Sequence, residues 1–254
     1  MGLEAPFASG DSDLHRLDPR IKVVAAAGLS VATAVVSNVL LAASALAASG
    51  CLVFCGGLRL RAVLKRLLPA NILIAAMWLF LPWAVPGRAL WNAGPMTVTH
   101  EGVALAALIT VKCNAILLAL VALLSTSSLA DVASALGRLG VPNRLTMVLF
   151  FCVRYVSVIE AERGRLTQAM TVRAFRPRPS LRTYTTYAYM LGTLAVRTHD
   201  RAQRIYQAML CRGFEGTFPV VRRPRPGRRD IVFGATLLAF SIWLVVLEWT
   251  VTRR

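Results

Sequence analysis

Between Val23 and Leu58 the chain carries no charged residue, and that uninterrupted apolar run decides what kind of molecule it can be. The run exceeds the ~20 residues of one membrane crossing and suits two shorter spans joined by a tight turn, for which Ser37-Asn38 is the candidate. Just upstream, Asp18 supplies an N-cap, Pro19 a first helical residue that needs no N–H, and Arg20 and Lys22 two positive charges before the apolar stretch. This is how a membrane helix starts. With 56% hydrophobic residues over 254 positions, the chain is too apolar for an ordinary soluble domain and long enough for several spans plus a polar segment.

The remaining spans follow from charge. Arg59, Arg61, Lys65 and Arg66 form a basic loop, placed inside by the bias of Lys and Arg toward the cytoplasmic face. Leu67 to Val85 reads as a third span, with Pro69 and Pro82 near its ends and Trp78 and Trp83 as interface anchors. The loop from Pro86 to Gly102 has one arginine and one glutamate and reads as external. Val103 to Leu124 is a fourth span and carries Lys112 about halfway along. A lysine at that depth costs roughly 2.5 to 3.5 kcal/mol, so it must face protein or water and find an acceptor, and Asn114 and Glu101 are its sequence neighbours. Ile231 to Leu247 makes a fifth span, which puts the N-terminus inside and Arg253-Arg254 outside.

Eighteen of the 29 basic residues, all arginine, lie between Ser125 and Asp230, beside only six acids. That segment belongs on the cytoplasmic face. Ser128 and Asp131 form a capping-box-like pair, Leu129, Val132, Ala133, Leu136 and Leu139 make an apolar stripe, and Gly140 with Pro142 ends the helix. A long helical stretch from Asn143 to Arg176 is apolar in its first half and charged in its second, and Arg176-Pro177-Arg178-Pro179 stops it. Tyr184 to Val196 reads as a connector packing two basic helices together. From Arg197 to Gly216 the spacing predicts a basic amphipathic helix: Leu194, Thr198, Ala202, Ile205, Tyr206, Met209 and Leu210 share one stripe, and Arg197, Asp200, Arg201 and Arg204 another. Gly213, after Arg212, is the residue type that closes a helix in the left-handed conformation, so Arg212 would stand at a fixed, exposed tip. The basic run from Arg222 to Arg229, interrupted by Pro224 and Pro226, is a hinge and a cytoplasmic marker. The domain organisation that results is 1–124 for the N-terminal tail and spans one to four, 125–230 for the cytoplasmic region and 231–254 for the last span. The fold class is all-α: a polytopic membrane protein with about five transmembrane helices and a cytoplasmic pair of long helices.

Arg197-x-x-x-Arg201-Ala202-x-Arg204-x-Tyr206-x-Ala208-Met209-x-x-Arg212-Gly213-Phe214-x-Gly216 resembles the second Ala-Arg-Gly coupling helix in the transmembrane (T) component of energy-coupling factor transporters, of the cobalt/nickel CbiQ type. Leu17-Asp18-Pro19-Arg20-Ile21-Lys22, Gly94-Pro95-x-x-Val98-Thr99-x-Glu101-Gly102 and the Ser125 to Pro142 segment are similar to the family at matching places. At the first coupling motif the chain reads Val172-Arg173-Ala174-Phe175, so Arg173 keeps the charge while Ala174 stands where the family has glycine. The resemblance implies an ATPase-coupling interface at Arg173, Ala174, Cys211, Arg212 and Gly213. It also implies a pair of ATP-binding-cassette ATPases as partners, a substrate-binding S component with room for a small accessory membrane subunit, and cobalt or nickel as cargo. ATP and Mg would be bound by the ATPases, with no cofactor in this chain. The vitamin-transporting branch is the alternative, since the helices facing the ATPases serve every cargo.

The residues exclude much else. There is no Walker GxxxxGK[ST], nucleophile elbow or HExxH, and no acid pair with an obvious base, so the chain is not expected to be an enzyme. A membrane enzyme acting on a lipid phosphate, with arginines as phosphate ligands, is the competing class. No zinc-finger or RNP motif accompanies the positive charge, so nucleic acid is not expected as a partner. The five cysteines show no CxxC pair. Cys51 and Cys55 stand one helical turn apart and read as small packing residues, and His15, His100 and His199 are scattered, so no metal site is expected.

Overall fold

A computed structural model describes residues 14, 17–86, 88–93, 96–216 and 227–252. The N-terminal tail with His15, the Gly94-Pro95 pair, the basic run from Arg222 to Pro226 and Arg253-Arg254 lie outside the described residues.

Asp18 opens the first helix as its position predicts, its Oδ1 accepting from the Arg20 N–H at 3.0 Å. Eight helices follow among the described residues: α1 (Pro19–Val35), α2 (Val39–Cys55), α3 (Leu60–Ala84), α4 (His100–Leu124), α5 (Leu129–Arg138), α6 (Asn143–Val172), α7 (Leu181–Leu210) and α8 (Arg228–Thr252). The helices α3, α4 and α8 are long and apolar enough to cross a membrane. The 17-residue α1 and α2 reach only ~25 Å each at 1.5 Å per residue, the short end of what spans a bilayer. Asn38 caps α2 by accepting from the Leu40 N–H at 2.9 Å, so the turn falls at Ser37-Asn38.

One departure from an all-helical chain occurs in the loop read as external. There, β1 (Ala89–Ala93) and β2 (Met96–Thr99) pair antiparallel, with Trp91 opposite Val98 and Asn92 opposite Thr97. Thr99 ties the hairpin down: its hydroxyl donates to the Val85 carbonyl at 2.7 Å and accepts from Gly102 N–H at 3.2 Å, capping α4.

The chain divides into two compact units, one formed by the segment up to Ala135 with the segment from Pro224, the other falling within Leu136–Arg223. In the first, α4 packs on α1, α2 and α3, and α8 packs on α1. The contact surfaces are built from small residues. Ala42, Ala45 and Ser49 on α2, and Ala115, Ala119 and Ala122 on α4, recur every three or four residues and are buried. Such stripes let helix backbones approach closely where lipid removes the hydrophobic drive for association. Leu29, Val36, Leu123 and Leu244 fill the remaining space.

Polar contacts fix the order of these helices. Lys22, buried, donates from Nζ to Ser127 Oγ at 3.0 Å and Thr126 Oγ1 at 3.3 Å, while Arg66 Nη1 donates to Ser125 Oγ at 3.1 Å. The start of α1 and the basic end of α3 thereby meet the turn after α4; Arg61, Lys65 and Arg66, expected in a loop, lie within α3, which begins at Leu60 and not at Leu67. Asn71 on α3 and Asn114 on α4 exchange two amide hydrogen bonds of 3.1 Å. Lys112 donates to the Ala34 carbonyl at 2.9 Å, one of the carbonyls in the last turn of α1 that lack an intrahelical donor. Its acceptor is thus neither Asn114, which bonds Asn71, nor Glu101, which accepts from Arg88 N–H at 2.8 Å. Glu248 on α8 accepts from the Ser37 and Asn38 N–H groups at 2.8 and 3.4 Å. A lysine and a glutamate therefore hold opposite sides of the α1–α2 turn.

Candidate functional site

In the second unit α6 and α7 form an antiparallel pair. Near the turn between them, the Phe175 ring meets Tyr187 edge-on at 5.7 Å. Midway, Glu162 accepts from Arg197 Nη1 at 2.7 Å and lies 3.1 Å from Arg165 and 3.9 Å from Arg201. This carboxylate is only 6% exposed. The hydrogen bond from Arg197, with the nearby charges of Arg165, Arg197 and Arg201, holds its carboxyl below the usual range. A charge drawn from the basic face thus becomes the joint of the pair. Arg197 and Arg201, expected on a stripe apart from the apolar one, reach Glu162 across the pair while their side chains stay 54% and 42% exposed.

Beyond that joint the two helices line a cavity of about 480 Å³, walled mainly by apolar groups that include Phe151, Ile159, Ile205 and Met209. Tyr206 and Phe214 also line it. The stripe expected from Thr198 to Met209 faces this space, whereas Leu210 is 48% exposed.

The segment expected as a connector is not separate. Leu181 to Leu210 is one 30-residue helix, because Tyr184 to Val196 contains no proline and Gly192 alone is too weak a breaker to interrupt it. Correspondingly, α6 stops at Val172, before the prolines expected to end it. What ends it is a left-handed residue. Ala174 has φ 60°, its N–H bonds the Thr171 carbonyl at 3.0 Å, and the Phe175 N–H reaches back to the Met170 carbonyl at 3.1 Å. At the end of α7, Gly213 has φ 75°, its N–H bonds the Leu210 carbonyl at 3.0 Å, and the Phe214 N–H bonds the Met209 carbonyl at 3.1 Å. Both are Schellman-type ends, closed by the same pair of bonds.

Substituting alanine for glycine therefore does not change how α6 terminates. The similarity runs deeper than the arginines. Arg165-Leu166-x-Gln168-Ala169-Met170-x-x-Arg173-Ala174-Phe175 is matched by Arg204-Ile205-x-Gln207-Ala208-Met209-x-x-Arg212-Gly213-Phe214. This repeat could have been found by self-comparison at an offset of 39 residues. Reading each helix end only for its Ala-Arg-Gly-like tripeptide hides it.

Arg173, Ala174, Cys211, Arg212 and Gly213 are all exposed. The antiparallel pairing carries Arg173 and Arg212 to opposite ends, roughly 40 Å apart at 1.5 Å per residue, so the two tips do not form one site. Lys112, the other candidate, belongs to the membrane unit and bonds Ala34. Cys51 and Cys55 are exposed, with their sulfurs 3.9 Å apart. Among the described residues no three of His, Cys, Asp and Glu converge as a metal site. His199 Nε2 pairs with Gln203 Nε2 at 2.9 Å.

Comparison with known proteins adds what geometry alone does not. Residues 10–222 match the family described as cobalt transport protein, CbiQ. The chain is 27% identical to the energy-coupling factor transporter transmembrane protein EcfT of Acidaminococcus fermentans, over 96% of this chain and 95% of the relative. It is similar to EcfT of Thermosediminibacter oceani, 23% identical over 83% of each chain, and to EcfT of Brevibacillus brevis, 24% identical over 96% of each.

Proposed function

The chain belongs to the CbiQ family of cobalt transport proteins, and from that premise we propose that it is the non-catalytic coupling subunit of an energy-coupling factor importer. Arg173 and Arg212 each engage one of two ATP-binding-cassette ATPases and carry their motion to a substrate-binding membrane subunit. The observation that carries this reading is the duplicated Met-x-x-Arg-[Ala/Gly]-Phe end, its arginine exposed in both copies, at the two extremities of one helical pair. Two matched cationic tips held apart by a rigid spacer suit two matched acceptor sites on a partner better than one small ligand. A guanidinium at such a tip makes charge-assisted bonds with a carboxylate-lined groove, and these strengthen as the groove excludes water. Hydrolysis takes place on the partners, and this chain transmits it.

Cobalt or nickel is the proposed cargo, and the family description over residues 10–222 favours cobalt. A vitamin cargo is the second reading, since the helices facing the ATPases serve every cargo and the names of the EcfT relatives specify none. The chain sits in the cell membrane with its N-terminus and the unit from Leu136 inside and its C-terminus outside, as the distribution of arginine supports.

The test is co-purification and uptake. Arg173→Ala and Arg212→Ala are expected to lower ATPase capture and metal uptake while leaving membrane insertion intact, with the larger loss at Arg212. Undiminished capture and uptake in the double variant would overturn the proposal. Turnover of a lipid phosphate by the purified chain, with no ATPase present, would replace it with the enzyme reading.

A further inference from the structure

We propose that Phe175 and Phe214 are positioning residues, which fix the direction in which Arg173 and Arg212 leave their helix ends. The inference rests on the reading of those ends as ATPase contacts. At each end three consecutive residues divide in the same way. The arginine is exposed, the left-handed residue after it is exposed, and the phenylalanine is partly buried. The positive φ at Ala174 and Gly213 reverses the chain, so the phenylalanine folds back along the helix it has just left.

Each ring then finds an anchor in the pair. Phe175 sits edge-on to Tyr187 of the opposite helix, ring planes at 86°, a geometry in which the positive ring edge meets a negative face. Phe214 lines the cavity with Met209 and Tyr206. The backbone N–H of the same phenylalanine makes the bond, 3.1 Å in both ends, that closes the turn onto Met170 or Met209. Ring and N–H thus pin the residue two positions after the arginine, and the arginine's Cα–Cβ direction is fixed by a backbone held on both sides. Without the ring, the final turn is retained only by its exposed hydrogen bonds, and such ends open readily. The arginine then samples many directions, and ordering it becomes a cost of binding. Conservation of Met, Arg and Phe between the two copies within this one chain, while Leu/Ile and Ala/Gly exchange, is what such a device requires.

The test is a double-mutant cycle on the full-length chain in detergent, titrated with the ATPase subunits that co-purify with the unmodified chain. Phe214→Ala is expected to weaken ATPase binding about tenfold, as Arg212→Ala does. The Phe214→Ala/Arg212→Ala double variant should bind no more weakly than Arg212→Ala alone, because the ring acts only through the arginine. Phe214→Leu, which keeps an apolar anchor, should restore most of the binding and serves as the folded control if the alanine variant loses its helix. Phe175 and Arg173 should repeat the pattern. Full binding by Phe214→Ala beside loss in Arg212→Ala would overturn this inference and leave the coupling role standing. Additive losses would overturn it as well, by making the phenylalanine an independent contact. No loss on Arg212→Ala would remove the coupling role and this inference together.

Discussion

Exchanging the residues that close the two helix ends gives a prediction with a sign at each end. Ala174 sits at φ 60° and Gly213 at φ 75°, in the region where a Cβ crowds the following carbonyl at about 1–2 kcal/mol. Around Gly213 no atom lies within 4 Å of where a Cβ would stand, so Gly213→Ala meets backbone strain without a packing clash. Against that strain, alanine restricts the unfolded chain and recovers roughly 0.4–1 kcal/mol. The net expectation is a loss of roughly 1 kcal/mol for Gly213→Ala and a gain of similar size for Ala174→Gly. Either corresponds to about a fivefold change in the equilibrium for opening the end. Hydrogen exchange of the closing amides, followed by mass spectrometry on peptides spanning 170–176 and 209–215, measures this opening directly. Protection should rise in the first peptide for Ala174→Gly and fall in the second for Gly213→Ala, with the crossing at Glu162 unchanged in both. Equal protection in both variants would refute the left-handed closure of these ends.

Three further outcomes follow from packing and charge. Gly102→Val should destabilise the membrane unit by about 1–3 kcal/mol, because a Cβ there would lie 2.9 Å from Pro82 Cα and 3.0 Å from the Leu81 carbonyl oxygen. Thermal unfolding in detergent measures it, with Gly50→Ala as the control, since nothing lies within 4 Å at that position. Asn114→Leu breaks the amide exchange with Asn71 and should cost about 0.6–2 kcal/mol in the same assay, the scale of an interhelical bond in lipid. For Glu162, whose folded carboxyl titrates below its usual value, the stabilisation is fully present above the unfolded carboxylate pKa. It is lost as pH falls through the depressed folded one. Protection of the α6–α7 crossing should therefore drop on acidification below pH ~4.5, and Glu162→Gln should be weaker at neutral pH and lack that drop.

What was legible in the chain is what repeats or stops locally. Apolar length located the membrane helices, Ser37-Asn38 the turn and Ser128-Asp131 the cap, whose Ser128 hydroxyl accepts from the Asp131 N–H at 3.1 Å. Long-range pairing left no such trace. Lys22 reaches Ser127 across 105 positions and Lys112 reaches Ala34 across 78, and neither periodicity nor neighbour identity encodes those distances. Glu162 is one of several charges in the second half of the stretch from Asn143, and nothing marks it out in sequence because two of its three arginines lie on another helix. Sequence puts the end of α6 at the prolines, since proline is a loud breaker, whereas the alanine at positive φ that ends it is silent. At the candidate site the arginines could be found from their motif. The phenylalanines, which have no charge to draw notice, required the geometry.

The bracing of the first helical turn has a consequence for biogenesis. Its lysine arrives with α4, but its carboxylate belongs to α8, 211 positions after Ser37. Until α8 inserts, the Ser37 and Asn38 amides lack those two oxygens, and a backbone donor without a partner is costly wherever water is excluded. The turn between the two short helices is therefore completed by α8. A product halted before α8 leaves that turn without its carboxylate, and its α1–α2 pair should be held less firmly than in the intact bundle.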